Sequence, residues 1–430
     1  MKPTSKFSEH IHEHCRVKEY LNLVKGPSFL IPSLCFTLLL SFYFLCGSNT
    51  LKSTFERGDY HVQRESLDQL GNRRPDNEKC DLSKGRWIRD VKEPLYTNFS
   101  CKTLPHHKNC FLHGRMDRDF LHWRWKPDQC ELPVFNPRSF LNIVKGKTMG
   151  FIGDSLARNH VDSLLCLLSK EETPQEVYRG DEGGKTITWH FPHHNFTIMV
   201  LWSQFLVSAS EMVVNGSATD SFHLHLDKID ESWAQKLPAL DYAIISAGHW
   251  FFRTNYVSEG GRFLGCIYSH DPNATYLTPD IAIQGVFRLA LKSINDCNNC
   301  SRMLTLVRTF SPAHFENGAW NMGGTCNRTS PLAPEEINYN GVEWDNRNVQ
   351  LAEVENAHKL GEKRGRTFDV LDVTGAMSMR PDGHPDVHWD PFWAKGTSDC
   401  IHWCLPGPVD TWNEILLETL RRHASEDVKN

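Results

Sequence analysis

The run Lys147-Thr148-Met149-Gly150-Phe151-Ile152 is short and apolar, and it passes through Gly153-Asp154-Ser155 straight into a second pattern. There Leu156, Val161, Leu164, Leu165 and Leu168 recur at helical spacing. A strand that turns at once into a helix constrains the fold, because it is the opening of an α/β unit. Further strand candidates lie at 196–202, 241–247, 302–308 and 367–373, and helix candidates at 156–169, 279–294, 344–364 and 408–423. The alternation predicts an α/β fold with three layers, a mostly parallel central sheet carrying helices on both faces. Ligands of such sheets gather at the carboxyl ends of the strands. Ser155 follows one such end, and Gly248-His249-Trp250 follows another.

Ser155 would sit near a helix N-terminus, where free N–H groups and the positive dipole end suit a developing oxyanion. A serine hydroxyl attacks an acyl carbon well only when a base takes its proton. Asp399-Cys400-Ile401-His402 offers an acid and a base three positions apart. His402 would accept the proton and Asp399 would fix the ring tautomer, giving Ser155, Asp399 and His402 as a candidate triad in chain order Ser, Asp, His. Two plainer readings stand beside it: Asp154 and Ser155 capping a helix, and Asp399 and His402 as a cap and a packed ring. Gly153 and Asp154, in the turn before the serine, are oxyanion or substrate candidates. The Ser155 N–H would be the first oxyanion donor, joined by Gly248 or by Arg158 and Asn159 one turn on. His249 and Trp250 are substrate candidates. No P-loop lysine motif and no dinucleotide glycine fingerprint is present, so nothing points to a nucleotide cofactor.

Residues Phe29 to Cys46 carry no charged side chain, and with Ser28 and Gly47 they reach the roughly 20 residues that span a bilayer. Lys2, Lys6, Arg16, Lys18 and Lys25 precede them, which predicts a cytosolic N-terminus and a lumenal body, a single-pass type II arrangement. A cleaved signal peptide is the competing reading. Asn98, Asn195, Asn215, Asn273, Asn299 and Asn327 each begin an Asn-x-Ser/Thr sequon, which matters only in a secretory compartment. Eleven cysteines lie beyond the apolar run, and an oxidising lumen would pair most of them, leaving one free or bonded between chains. Cys297-x-x-Cys300 and Cys400-x-x-x-Cys404 lack second pairs at zinc-site spacing, so no metal is expected. A net charge of -5 argues against nucleic acid as a partner.

The domain reading is then a tail at 1–27, a membrane anchor at 28–47, a polar stem at 48–79, a cysteine- and tryptophan-rich subdomain at 80–140 and a catalytic domain at 141–430. The 80–140 stretch, with Trp87, Trp123 and Trp125, predicts a loop-rich, disulfide-stapled piece that serves either as scaffold or as a carbohydrate-facing aromatic wall. Arg380-Pro381-Asp382-Gly383-His384-Pro385, followed by His388 and Trp389, reads as turn chemistry and as a candidate substrate wall. His10, His12 and His14 fall in the tail and read as a solvated cluster.

Gly153-Asp154-Ser155-Leu156-Ala157-Arg158-Asn159, the segment Asp399-Cys400-Ile401-His402-Trp403-Cys404-Leu405-Pro406-Gly407 and the opening Cys80-Asp81-x-x-x-Gly85-x-Trp87 resemble the plant trichome birefringence-like family. The resemblance runs from about Cys80 to the C-terminus. It implies a PC-esterase, SGNH/GDSL-like fold and polysaccharide O-acetyltransfer in the Golgi lumen of a plant cell, from a membrane-anchored enzyme. It implies a double displacement, in which Ser155 takes acetyl from a donor such as acetyl-CoA or an acetylated carrier and passes it to a sugar hydroxyl. It also implies the pairs Cys80–Cys130, Cys101–Cys166, Cys110–Cys404 and Cys326–Cys400, and leaves Cys266, Cys297 and Cys300 unassigned. Arg115-Met116-Asp117-Arg118-Asp119 through Trp123-Arg124-Trp125 is most similar to the xyloglucan-acting branch, whose acceptor is side-chain galactose. Xylan, mannan or pectin as acceptor, an acetyl esterase of the GDSL type and a non-catalytic wall-polymer binder are the alternatives.

Overall fold

The computed structural model describes residues 80–180, 184–268, 274–300, 303–394 and 396–427. The expected tail, anchor and stem, and the sequon at Asn273, lie outside the described residues. Among the described residues no helix is long and apolar enough to cross a membrane.

The chain enters through an antiparallel ribbon of β1 (Gly85–Arg89) and β2 (Trp123–Pro127). Then come α1 (Pro137–Ile143), β3 (Thr148–Gly153), α2 (Ser155–Leu168), β4 (Gln175–Gly180), β5 (Thr186–Phe191) and β6 (Phe196–Trp202). Strands β7 (Val207–Val214), β8 (Ser217–Ile229), β9 (Tyr242–Ser246), β10 (Asn255–Glu259) and β11 (Arg262–Ile267) follow. The remaining long elements are α3 (Pro279–Asp296), β12 (Leu304–Arg308), α4 (Val342–Gly361), β13 (Thr367–Leu371) and α5 (Asp410–Asp427).

The central sheet has seven strands in the order β13-β12-β9-β3-β6-β5-β4. The first five are mutually parallel, whereas β5 runs against β6 and β4 against β5. A second sheet, β11-β10-β8-β7, combines one parallel pair with antiparallel neighbours. The fold is therefore α/β with mixed sheets.

Side-chain alternation along the strands builds the layers. Phe151, Ile244 and Leu306 join one apolar core with Leu164, Leu165 and Leu168 of α2 and Ile415, Leu416 and Leu420 of α5. Their chain neighbours Ile152, Ile245 and Val307 join the opposite core with Ile283, Val286 and Phe287 of α3 and Val354 and Ala357 of α4. Burial on both faces is why β3 lacks the polar alternation of a half-exposed strand. Each fully buried Leu, Ile or Phe here contributes about 1.5–3 kcal/mol relative to exposure.

The ribbon subdomain is a packed scaffold. Trp87 and Trp125 meet edge to face at 5.7 Å, and their indole N–H groups donate to the carbonyls of Ala376 and Leu82. Both rings are buried, which favours the scaffold reading of these two tryptophans over the carbohydrate-facing wall. The disulfides Cys80–Cys130 and Cys101–Cys166 close this region, and Cys110–Cys404 and Cys326–Cys400 tie distant loops. Cys297 and Cys300, unassigned from sequence, bond to each other. Asn195, Asn215, Asn299 and Asn327 are exposed and Asn98 is half-buried.

Candidate active site

Strands β3 and β9 lie side by side with Gly153 opposite Ser246, so the residues just beyond them, Ser155 and Gly248, emerge together at the carboxyl edge of the sheet. Gly153 is needed at this crossing: its φ is +150°, and a Cβ there would stand 1.9 Å from the Ser246 carbonyl oxygen. Asp154 caps α2 by accepting from the Leu156 N–H at 3.0 Å. Ser155 is thus the first helical residue, and its own N–H has no acceptor within the helix.

Across the groove, the 399–405 segment brings the base. His402 Nε2 accepts from Ser155 Oγ at 2.7 Å, and His402 Nδ1 donates to Asp399 Oδ2 at 2.8 Å. Asp399 Oδ1 accepts the backbone N–H groups of Ile401 and His402 at 3.1 and 3.0 Å. Burial pushes the Asp399 carboxyl upward, but the His402 charge and these hydrogen bonds outweigh it and hold the group well below the usual carboxylate range. The structure brings Ser155, His402 and Asp399 into one line of proton transfer, with the carboxylate fixing the tautomer that leaves Nε2 free to accept.

The base loop is held on all sides. Cys400 and Cys404, both fully buried, are bonded to Cys326 and Cys110. Asp386 and Asp399 exchange backbone hydrogen bonds at 3.0 and 2.8 Å. His384 Nδ1 donates to the His402 carbonyl at 2.7 Å while its ring stacks on Trp403 at 4.0 Å. Arg380 and Asp382 pair with each other at 2.8 Å, and Arg380, Asp382 and His384 are all buried. The 380–385 segment therefore braces the base from behind; it is not the substrate wall expected for it.

The other expected residues separate by environment. Asn159 is fully buried and uses both ends of its amide on Trp403, accepting from the backbone N–H at 2.8 Å and donating to the carbonyl at 3.2 Å. It positions the base loop, a correction to its candidacy as an oxyanion donor. Arg158 donates to the Gly184 carbonyl at 2.7 Å and lies 4.4 Å over the Trp202 ring. Its guanidinium is thereby engaged with the Gly184 carbonyl and the Trp202 ring. Gly248 abuts Phe310, where a Cβ would come within 2.5 Å of the ring. His249 donates from Nε2 to the Ser311 carbonyl at 2.8 Å, and burial pulls its ring down to about 4, so it is neutral near pH 7. Trp250 packs edge to face against Trp202, Phe205 and Phe222.

Ser155, His402, His249 and Trp250 open onto a cavity of about 470 Å³, walled further by Phe252, Phe310, Phe315 and Trp320. Its size suits a small acyl group with part of a larger partner.

Three functional neighbours escaped the sequence reading. Lys108, from the ribbon subdomain, is 3% exposed; its ammonium donates to the Ser155 carbonyl at 3.4 Å and pairs with Asp162 at 3.4 Å. Its carbonyl accepts from the Leu405 N–H at 3.1 Å, so one residue ties the subdomain to both the nucleophile helix and the base loop. His107 is exposed but lies close enough to His402 and Asp399 to feel both charges, and partial desolvation with the Lys108 charge beside it lowers its ring. Arg308 is 2% exposed, with burial drawing it down to about 10 and Asp154 as the opposing charge. Nothing in a sequence marks a lysine or arginine for burial. Among the described residues, the one cluster with metal-ligand spacing is Cys326, Asp386 and Cys400, and its two sulfurs are joined in a disulfide.

Residues 132–419 match the PC-esterase family, described as a GDSL/SGNH-like acyl-esterase family found in Pmr5 and Cas1p, and residues 78–131 match the PMR5 N-terminal domain. The chain is similar to xyloglucan O-acetyltransferase 3 of Populus trichocarpa, 51% identical over 90% of this chain and 96% of the relative. It is 46% identical to xyloglucan O-acetyltransferase 2 of Arabidopsis thaliana, over 94% of each. Protein trichome birefringence-like 24 of Arabidopsis thaliana is 42% identical over 80% of this chain and 82% of the relative.

Proposed function

The chain belongs to the PC-esterase family, and on that premise we propose that it is a polysaccharide O-acetyltransferase acting on xyloglucan, most readily on its galactosyl side chains. The observation that carries the chemistry is the Ser155 Oγ to His402 Nε2 hydrogen bond of 2.7 Å at the floor of an aromatic cavity.

The reaction is a double displacement. Ser155 Oγ attacks the acetyl carbonyl of the donor, and His402 Nε2 takes the hydroxyl proton. The carbonyl oxygen becomes an oxyanion facing the N–H of Ser155 and that of Gly248. Collapse expels the donor's leaving group, which carries away the proton from His402, and leaves acetyl-Ser155. A sugar hydroxyl then attacks that ester, gives its proton to His402 and departs as the acetylated sugar when Ser155 recovers the proton. The donor is an acetyl ester or thioester, acetyl-CoA or an acetylated carrier, used as co-substrate.

We place this reaction in the Golgi lumen, with the chain anchored as a type II membrane protein by residues 28–47. Exposed sequons and the five disulfides formed among the described residues support an oxidising, glycosylating compartment.

The test incubates the full chain with acetyl donor and de-acetylated xyloglucan and follows acetyl ester on the polymer. Transfer that vanishes in Ser155→Ala supports the reading. Acetate release with no acetylated polymer would make the protein an esterase instead.

A further inference from the structure

The cavity is lined by more than Ser155, His402 and their aromatic neighbours. Among the described residues lining it, Glu343 is the single acid and Arg253 the single lysine-or-arginine cation. Arg253 is already committed: it pairs with Asp220, and its guanidinium lies 4.3 Å from the Trp250 ring and 5.2 Å from the Trp320 ring. Glu343 is half-buried at the start of α4 and has no hydrogen-bond or ion-pair partner among the described residues. Trp320 is 40% exposed and lines the cavity. It rides on a loop pinned at its base, where Glu316 and Thr325 exchange backbone hydrogen bonds and Arg328 pairs with Glu316 at 2.5 Å.

A partly exposed indole offers a platform for the apolar face of a sugar ring. A partly buried carboxylate without donors calls for hydroxyl groups to satisfy it. The same carboxylate repels a second carboxylate, and no uncommitted lysine or arginine lines the wall to offset the charge of an acidic sugar. We propose that Trp320 and Glu343 form an acceptor subsite that takes a neutral hexosyl residue and rejects uronic acid residues. Trp320 stacks on the ring, and Glu343 accepts hydrogen bonds from its hydroxyls. The inference rests on the transferase reading and names the residues that select its acceptor.

The full chain is charged from p-nitrophenyl acetate, which forms acetyl-Ser155 and releases nitrophenolate. It is then offered either galactosylated xyloglucan oligosaccharides or oligogalacturonides of equal length. The readout is the fraction of released acetyl recovered on sugar, counted per nitrophenolate, so a variant that folds in low yield does not imitate the effect. The wild-type protein should favour the neutral acceptor by about tenfold or more. Trp320→Ala should raise the half-saturating concentration of neutral acceptor by about tenfold. Glu343→Gln should raise the fraction passed to oligogalacturonide toward that passed to neutral sugar. Equal use of both acceptors by the wild type overturns the proposal, as does unchanged partition in both variants. If the wild type passes acetyl to neither sugar and all of it to water, the transferase reading itself fails.

Discussion

The carboxylate of Asp399 grips His402 twice, with Oδ2 accepting from the ring Nδ1–H at 2.8 Å and Oδ1 from the residue's own backbone N–H at 3.0 Å. Ring tautomer and loop shape are therefore set by one side chain. Asp399→Asn keeps the size but can present an amide N–H to Nδ1, which favours the tautomer whose Nε2 cannot accept from Ser155. The expected result is a fall in kcat of about 10³ to 10⁴ with little change in acceptor KM, read from acetyl-transfer kinetics. Because the folded carboxyl titrates below its unfolded value, its contribution to stability is present above about pH 4 and is lost as pH falls through the folded pKa. A loss of activity between pH 5 and 7 that disappears in Asp399→Asn would contradict that assignment.

Asn159 couples the nucleophile helix to the base loop through the Trp403 backbone. Asn159→Ala leaves a buried N–H and C=O without partners, for a loss of roughly 2–4 kcal/mol in denaturant unfolding. The 2.7 Å contact between Ser155 and His402 should also loosen, lowering kcat by about 10- to 100-fold. Asn159→Asp keeps the acceptor for the Trp403 N–H but sets a buried carboxylate oxygen against the Trp403 carbonyl, so it should cost at least as much. Wild-type kcat in Asn159→Ala would show that the base loop is set without it.

Much of this arrangement was legible in the chain because it rests on local patterns. The strand expected at 148–153 is β3, and the helix expected from 156 begins at Ser155, since an apolar run followed by leucines at helical spacing has few other solutions. The helices expected at 279–294 and 408–423 are α3 and α5. The second sheet was not legible. Strands β7 and β8 carry mostly exposed side chains at their paired ends, so they lack the apolar signal that marks a buried strand. The β4 edge strand is exposed at five of its six positions for the same reason. Within the site, the residues that bear chemistry stood out and those that hold them in place did not. Asn159 reads as a polar helix residue and Lys108 as a surface lysine until Trp403 and Asp162 are seen beside them.

Lys108 and Asp162 form a buried pair in which desolvation pulls the lysine down and pushes the carboxyl up, each opposed by the other's charge. Removing one partner strands the other. Lys108→Met should destabilise the protein by roughly 2–4 kcal/mol, the lower end favoured because Arg158 still bears on Asp162. Lys108→Met/Asp162→Leu should regain most of that loss. Thermal unfolding of the single and double variants checks it, and a double variant no more stable than the single would refute the pairing.

Asp410 and Glu414 stand one turn apart on α5. Burial pushes Asp410 up to about 6 despite hydrogen bonds from Tyr96, Ser163 and the Gly407 N–H, and pushes Glu414 up to about 8 with the Asp410 charge adding to it. Both folded pKa values lie above their unfolded values, so the folded state favours the protonated forms. That contribution is fully present below about pH 4 and is lost as pH rises through about 6 and then about 8. The melting temperature should therefore decline from pH 5 to pH 8.5. Glu414→Gln, which is neutral throughout, should flatten the upper part of that decline. At pH 8.5 it should exceed the wild type by roughly 2 kcal/mol, a value discounted for the partial exposure of the side chain. Parallel pH–stability curves for the two proteins would show that Glu414 stays ionised in the folded state.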